Sequence, residues 1–240
     1  MNSFFKPITL IWAVAFLSCS TSHGAPLPAA LSSEDGSEKK PGTVKEADDE
    51  EYGGTLALKP LGDVPDQAIS TASAAIRDVY GWKVVLDKKA ELPQIAWYKP
   101  RKRWRAEKIL AWITPRMPVW ADKIMAITVK DISTTKPPHE DWGICGLADL
   151  DGPAAVVSTY RIKKKLGKLT PKERKKKYLQ RLRDLAAHEF GHQLCLEHCP
   201  NKGCIMEDAK GTVLTFDHST SMLCDDCKKI LVGRGLYKTK

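Results

Sequence analysis

The sequence predicts an α/β domain. Short apolar segments with strand character alternate with amphipathic segments of helical spacing, a pattern typical of sheets covered by helices. The chain has 240 residues, of which 42% are hydrophobic, so a folded part of roughly 190 residues can bury one core. The strongest local prediction is a long helix that begins at Thr170-Pro171-Lys172-Glu173.

The elements follow in chain order. Thr55–Leu61 is predicted as a strand, and Pro65 begins a helix with one apolar face that stops at Gly81. In the long helix, Thr170 can cap the start, and Glu173 completes a capping box. Further strands are predicted at 82–86, 123–132 and 154–160. The long helix is predicted to run from Thr170 through His192, and two other helices are predicted at 104–113 and 221–232.

The N-terminus resembles an export signal. Lys6 precedes the apolar run 7–17, which is too short to span a bilayer comfortably, so residues 1–19 are interpreted as a signal peptide. Phe16-Leu17-Ser18-Cys19 resembles a lipobox, in which Cys19 would carry lipid and attach the protein to a membrane. Ordinary cleavage near Ser22 or Gly24 is the alternative. We expect an exported protein, either a cell-envelope lipoprotein or a periplasmic or secreted one.

Residues 20–52 are rich in Ser, Pro, Gly and charge and are predicted to be a disordered tether. Residues 53–240 are predicted to form one domain, which we expect to be a monomer. The net charge of +9 is interpreted as a solvated basic face, and we expect no nucleic-acid partner. The lysine runs at 163–165 and 175–177 receive the same interpretation, with an acidic substrate or anionic surface as the alternative.

The residues that carry chemistry begin with His188-Glu189-Phe190-Gly191-His192. Two histidines four residues apart on a helix lie on one face and can hold the same metal ion, while Glu189 can take a proton from water. His198 follows beyond the helix end and supplies a third imidazole. Three protein ligands leave one tetrahedral position open, as in catalytic zinc sites. We therefore predict a catalytic Zn²⁺ on these histidines, with Glu189 as general base.

Four cysteines predict a second, structural Zn²⁺. Cys199 and Cys204 form one close pair and Cys224 and Cys227 another, with about 20 residues between the pairs, a spacing typical of tetrahedral Cys₄ sites. Two disulfides are the alternative, which export would permit. A bond across C-x-x-C is more often redox-active than structural, so we prefer zinc.

Together these residues closely resemble the signature of the archaemetzincins, a family of metzincin-like zinc peptidases. The resemblance implies a metzincin-type zincin fold with a twisted mixed sheet, an active-site helix and a small C-terminal subdomain clamped by the structural zinc. It implies that Met206 is the methionine of the turn beneath the catalytic metal. By analogy, 145–149 and 156–161 supply the edge strand along which a substrate peptide lies. The matching pattern is His188-Glu189-x-x-His192-x-x-Cys195-x-x-His198-Cys199-x4-Cys204-x-Met206-x17-Cys224-x-x-Cys227.

One position departs from the family pattern. Cys195 stands where the family usually has Gly, which permits a left-handed backbone as the chain leaves the helix. A non-Gly residue there costs about 1–2 kcal/mol, so full activity is in question while zinc binding is not. Cys145 and Cys195 remain unassigned, either as a disulfide or as two free thiols.

Two functions from different classes follow. The first is a zinc metallopeptidase that hydrolyses peptide bonds in a peptide or protein substrate. The second is a non-catalytic, zinc-stabilised binding module at the cell envelope, in which Cys195 marks a decayed active site. The intact Glu189 favours the enzyme, because a binding module needs no general base.

Overall fold

The computed structural model describes residues 53–237. The predicted signal peptide, Cys19 and the tether therefore lie outside the described residues. No helix among the described residues is long and apolar enough to cross a membrane. In chain order the elements are β1 Thr55–Leu61, α1 Asp66–Tyr80, β2 Lys83–Leu86, β3 Trp97–Tyr98, β4 Arg103–Arg105, α2 Ala106–Ile113, β5 Lys123–Thr128, β6 Ile132–Lys136, β7 His139–Ile144, β8 Gly146–Ala148, β9 Ala154–Ser158, α3 Thr159–Ile162, α4 Pro171–Gln193 and α5 Asp225–Gly233.

The main sheet has five strands in the order β2-β1-β5-β9-β8. Its first four strands are parallel, and β8 is an antiparallel edge strand. Every residue of β9 is buried, as expected for a central strand covered by helices on both faces. The predicted α/β class with a mixed sheet is confirmed, and the sheet leaves β8 with one unpaired side.

Helices cover both faces of this sheet. One hydrophobic core lies between the sheet and helices α1 and α4, where Phe190 packs edge-to-face against Tyr80 and Trp82 with ring centroids 5.2 and 5.0 Å away. A second core lies on the other face and includes Ile109 and Ile113 of α2. The α1–α4 core matters for function because it fixes the active-site helix against the sheet.

The predicted helix signals are present. Thr170 accepts a hydrogen bond from the Glu173 backbone N–H, and the Glu173 side chain accepts from the Thr170 N–H, which completes the capping box of α4. Helix α1 follows Pro65 and ends at Gly81, whose φ of 69° is left-handed. Sequence spacing and capping chemistry therefore define both helices of the first core.

The second sheet was not predicted from the sequence. Its order is β3-β4-β6-β7, and its strands are short or polar. The predicted helix at 104–113 was wrong at its start, because Trp104 and Arg105 pair with Ile132 and Ser133 of β6. The predicted strand at 123–132 is two strands: β5 ends at Thr128, and β6 begins at Ile132 in the other sheet.

Two other predicted elements extend beyond the observed ones at one end. The strand predicted at 154–160 ends at Ser158, whose hydroxyl accepts from the Tyr160 N–H and caps α3. The helix predicted at 221–232 begins at Asp225, since Ser221 has a φ of 59° that no helix accommodates. The four residues before Asp225 instead form a loop that brings Cys224 to the helix start.

Candidate active site

The last turns of α4 carry the first two histidines. His188 and His192 are one helical turn apart, with ring centroids 4.7 Å apart at a 90° angle. Their Nε2 atoms lie 3.1 Å from each other, so both rings present the same nitrogen to one point. His188 is 5% exposed, which keeps competing water away from its side of the site.

Backbone carbonyls fix the orientation of both rings. His188 Nδ1 lies 2.8 Å from the carbonyl oxygen of Ile205, and His192 Nδ1 lies 2.7 Å from that of Leu196. A carbonyl only accepts, so each Nδ1 carries the proton and donates it. Each Nε2 therefore has its lone pair free toward the shared point, which is the usual arrangement of a metal-binding histidine.

His198 completes the set from the loop after α4. Its ring centroid lies 5.3 Å from that of His188 and 4.9 Å from that of His192. One nitrogen from each ring lies within 4.8 Å of the others, so the three imidazoles could hold a single ion. The predicted convergence of three histidines is present in the fold.

A tight turn at Cys195 brings His198 back. The Leu196 N–H donates to the Gly191 carbonyl and the Cys195 N–H to the His192 carbonyl, both at 2.9 Å. Cys195 itself has a φ of 63°, so the expectation of a left-handed backbone is confirmed. These bonds form a Schellman motif. Arg234 Nη1 donates to the Cys195 carbonyl at 2.8 Å, which anchors the turn from the C-terminal side.

Burial keeps the two histidines of α4 neutral. Desolvation, reinforced by the neighbouring His192, lowers the pKa of His188 to about 3. Desolvation also lowers the pKa of His192. A neutral imidazole is the form that binds metal. A donor set of three imidazoles fits zinc.

Glu189 lies beside the histidines and not among them. Its side chain is buried, and desolvation raises the pKa of its carboxyl to about 8. Gly146 at the start of β8 faces it so closely that an added Cβ would collide with the Glu189 side chain. The edge strand therefore needs glycine at this position so that the carboxyl can remain next to the three histidines.

Met206 packs between α4 and Tyr80. It is completely buried, its sulfur lies 3.9 Å from Tyr80 Oη, and Tyr80 donates to the Ala187 carbonyl at 2.8 Å. An added Cβ at Gly191 would collide with this sulfur. Met206 thus packs against α4 at Gly191, and its role as the methionine of the turn beneath the metal stays a prediction.

The four predicted cysteines also come together. Their sulfurs lie within 4.8 Å of one another. Cys199 Sγ is 3.6 Å from Cys224 Sγ, and Cys204 Sγ is 3.8 Å from Cys227 Sγ. No disulfide joins them. Four thiols in one cluster provide the donors of a tetrahedral zinc site.

Amide donors surround these sulfurs. The Asn201 N–H lies 3.4 Å from Cys199 Sγ, Asn201 Nδ2 lies 3.3 Å from Cys224 Sγ, and the Cys224 N–H lies 3.4 Å from Cys204 Sγ. Such bonds stabilise thiolates over thiols. The cluster joins the turn after α4 to the start of α5, so it could clamp the C-terminal segment to the active-site loop.

The two remaining thiols of the described chain are free. Cys145 and Cys195 are not bonded to each other. Desolvation, with a contribution from Glu189, raises the pKa of the Cys145 thiol to about 12. The free-thiol alternative therefore describes both residues.

Two cavities meet over the histidines. We call the first the basic cavity; it measures about 300 Å³ and includes Lys136, Lys164, Lys165 and Phe216 in its lining. The second measures about 510 Å³ and extends along Leu147, Ala148 and Leu150. Both are lined by Gly146, His188, Glu189 and His198. A continuous cleft thus crosses the candidate metal site alongside β8.

Sequence inspection missed a buried ion pair that supports the cleft. Arg181 has no exposed surface and donates from Nε and Nη2 to the Asp217 carboxylate, both at 2.7 Å. It also donates to the carbonyls of Ile162 and Lys164. This pair holds the turn Thr215–His218, whose Phe216 lines the basic cavity. The sequence gives little signal of this pair, because Arg181 stands between Gln180 and Leu182 in a stretch of α4 that also carries Arg183 and Asp184.

A three-histidine cluster with an adjacent carboxyl, beneath the edge strand of a mixed sheet, defines the class of zinc metallopeptidases. The profile of Peptidase family M54 matches residues 119–232. The archaemetzincin of Halobacterium salinarum is 33% identical over 173 residues, which cover 72% of this chain and 96% of that protein. The archaemetzincin of Haloquadratum walsbyi is also 33% identical, over 72% of this chain and 97% of that protein.

The chain belongs to the archaemetzincins and is a zinc metallopeptidase. The crystal structure of archaemetzincin from Methanopyrus kandleri has a TM-score of 0.63 and 26% identity, covering 79% of this chain and 98% of that one. The structure of archaemetzincin from Archaeoglobus fulgidus, complexed with malonate, has a TM-score of 0.59 and 23% identity, covering 73% and 98%. The metzincin-type fold is confirmed, and the family does not favour the binding-module alternative.

Proposed function

We propose that this archaemetzincin hydrolyses peptide bonds with Glu189 as general base, and that it binds two zinc ions. His188, His192 and His198 would hold the catalytic ion. The structural ion would lie among Cys199, Cys204, Cys224 and Cys227. The observation that carries the proposal is the cleft that crosses the three histidines, with Glu189 in its floor and β8 along its side.

The substrate peptide would add to the free side of β8. Main-chain hydrogen bonds from Gly146–Ala148 would hold it in extended form, as in other strand-addition complexes. Because Gly146 and Glu189 are in contact range, the scissile carbonyl carbon would come close to the Glu189 carboxylate. A zinc ion on the three imidazoles supplies Lewis-acid polarisation of the carbonyl and of the attacking water.

Glu189 would move the proton. Its carboxylate accepts a proton from water as the water oxygen bonds to the carbonyl carbon, and then delivers that proton to the amine nitrogen as the C–N bond breaks. Burial raises the pKa of Glu189 to about 8 in the absence of a cation. A cation on the neighbouring histidines would favour the carboxylate form of Glu189, which is the form that accepts the proton.

Met206 and the cysteine cluster have supporting roles in this proposal. Met206 packs under the metal site, where its sulfur fills the space left by Gly191. The Cys₄ ion would fix the chain at Cys199, next to His198. Neither group would contact the substrate.

The deciding experiment compares the wild type with Glu189→Gln. Glutamine has the same shape but cannot accept the proton, so cleavage of a quenched peptide should fall by roughly 10³-fold or more. Zinc content by elemental analysis should stay at two ions per chain. His192→Ala should keep only the ion held by the cysteines. Undiminished cleavage by Glu189→Gln would refute the assigned role, and a single ion in the wild type would refute the second site.

We also propose export, with residues 1–19 removed or processed and residues 20–52 as a tether. The lipobox-like sequence ending at Cys19 supports attachment to a membrane. Mass spectrometry of the mature N-terminus tests it: a lipid-modified Cys19 is expected, and an unmodified start at Ala25 would contradict it. We further propose that the domain acts as a monomer, which light scattering can check.

A further inference from the structure

The basic cavity lies at one end of the cleft. Its floor is formed by Leu185, His188 and Glu189 of α4 together with Phe216. The wall includes residues 142–146, which precede and begin β8, whereas the second cavity is lined by 146–148 and Leu150. The two cavities therefore accept opposite sides of a peptide bound along β8.

The arginine of the basic cavity is already neutralised. Arg161 donates from Nε and Nη2 to the Asp131 carboxylate at 2.7 and 3.0 Å. The Asp131 carboxylate also forms an ion pair with Arg103, whose Nε lies 3.0 Å from Asp131 Oδ2. Arg103 Nη1 lies 2.6 Å from Asp141 Oδ2. This network of alternating charges holds β4, β6 and β7 together and leaves little net charge for a ligand.

The lysines of the basic cavity differ from Arg161 in their ion pairing. Lys136, Lys164 and Lys165 line the basic cavity, and none forms an ion pair with another residue of the described range 53–237. Asp208 is the opposing carboxylate on the cavity wall, and a backbone hydrogen bond from Lys210 lowers its pKa, so it is ionised. Three ammonium groups thus share the basic cavity with two carboxyl groups, that of Asp208 on the wall and that of Glu189 in the floor.

Aromatic rings hold two of these ammonium groups. Lys136 Nζ lies 5.8 Å from the centroid of the Trp142 ring, and Lys164 Nζ lies 5.0 Å from that of the Tyr160 ring. Cation–π attraction favours these positions over extension into solvent. Trp142 also lines the basic cavity, so its ring keeps the Lys136 charge where a bound carboxylate can reach it.

The end of the substrate that meets the basic cavity depends on how the peptide pairs with β8. A peptide that pairs antiparallel with β8 runs from Ala148 toward Gly146, so the residues after the cleaved bond face the basic cavity. We infer that the enzyme prefers peptides with acidic side chains in the first two positions after the cleaved bond. The inference rests on the proposed peptidase function. A glutamate suits the site because its methylenes can contact Leu185 and Phe216 while its carboxylate reaches the lysines.

The first test uses matched quenched peptides that differ only at the two positions after the cleaved bond. One peptide carries Glu at both positions, a second carries Gln and a third carries Lys. Their kcat/KM values are compared with the wild-type enzyme. We expect the Glu peptide to exceed the Gln peptide by roughly fivefold or more and the Lys peptide to be slowest, from partly exposed ion pairs. The Glu advantage should shrink in 1 M salt. Equal rates for the Glu and Gln peptides would overturn the inference.

The second test places the effect on the cavity. The double variant Lys164→Glu/Lys165→Glu should lose the Glu preference and favour the Lys peptide. Lys172→Glu/Lys176→Glu is the matched control, since it changes the net charge equally at exposed positions of α4 that line neither cavity. An equal loss of preference in the control would show a general field effect and overturn the assignment to the basic cavity.

A binding experiment distinguishes failure of this inference from failure of the proposed function. Labelled Glu and Gln peptides are titrated into zinc-loaded Glu189→Gln, and their affinities are measured by fluorescence anisotropy. If the wild type cleaves no peptide, the proposed function fails, but tighter binding of the Glu peptide would still support the cavity preference. Equal affinities would overturn it whether or not cleavage occurs.

Discussion

The change Cys195→Gly tests how the chain turns between the two metal-binding segments. Cys195 has a φ of 63°, a conformation that glycine adopts freely and that crowds the Cβ of other residues. The backbone of the turn is fixed by its Schellman hydrogen bonds and by Arg234. The variant should therefore keep the turn and lose only its strain.

The magnitude follows from two opposing contributions. Left-handed backbone at a non-Gly residue costs about 1–2 kcal/mol, which the variant regains. Glycine also loosens the unfolded chain, which costs about 0.4–1 kcal/mol. The free energy of unfolding should therefore rise by about 1 kcal/mol for Cys195→Gly. In a domain of this size, that change raises Tm by roughly 2–4 °C.

Urea unfolding at fixed zinc concentration measures this difference, because bound metal would otherwise shift the apparent stability. Cys195→Ala is the matched control: it removes the thiol but keeps the Cβ and its strain. We expect the alanine variant to stay within about 0.5 kcal/mol of the wild type. The reasoning is wrong if the glycine variant is no more stable than the alanine variant.

Three further changes probe other parts of the site. Gly146→Ala should displace the Glu189 carboxyl and lower peptide cleavage by roughly tenfold or more with zinc content unchanged; full activity would contradict the close approach. Arg181→Met should leave the partly buried Asp217 paired only with Lys177 and remove the donors to the Ile162 and Lys164 carbonyls. The free energy of unfolding should fall by about 3 kcal/mol in urea titration, and a loss below about 1 kcal/mol would contradict a structural role for Arg181. Burial raises the pKa of the Cys145 thiol to about 12. The rate of its alkylation in the folded protein, measured by mass spectrometry, should therefore keep rising with pH up to pH 11. A rate that levels off near pH 9 would show an ordinary thiol.

The helices and parallel strands could be predicted because their signals are local. The capping box at Thr170 and Glu173 and the stop at Gly81 are chemical features of a few residues, and the structure contains both. The second sheet could not be predicted in this way. Its β4 has three residues, and Trp104 and Arg105 continue smoothly into α2 in sequence. Only the pairing with β6, 28 positions away for Trp104, makes them a strand.

The candidate site likewise contains features that the sequence predicts and features that it does not. Fixed spacing predicted the three histidines and four cysteines that come together, because metal ligands are few in kind and distinctive in pattern. The partners that orient them are backbone carbonyls of Ile205 and Leu196, and any side chain can supply a carbonyl. The glycine that admits Glu189 lies on another element 43 positions earlier, and nothing near Gly146 in the sequence indicates that it faces a carboxyl.

His198 and Cys199 are neighbours in the chain, yet one belongs to the histidine cluster and the other to the cysteine cluster. Consecutive Cα atoms are about 3.8 Å apart, so any movement of one is passed directly to the other. If the enzyme binds the two proposed ions, loss of the ion at the cysteines would loosen the segment that carries the third imidazole, and the affinities of the two sites would be reciprocally linked. Metal scarcity would then weaken both sites together, and hydrolysis would cease cooperatively, not gradually, as the free zinc concentration falls.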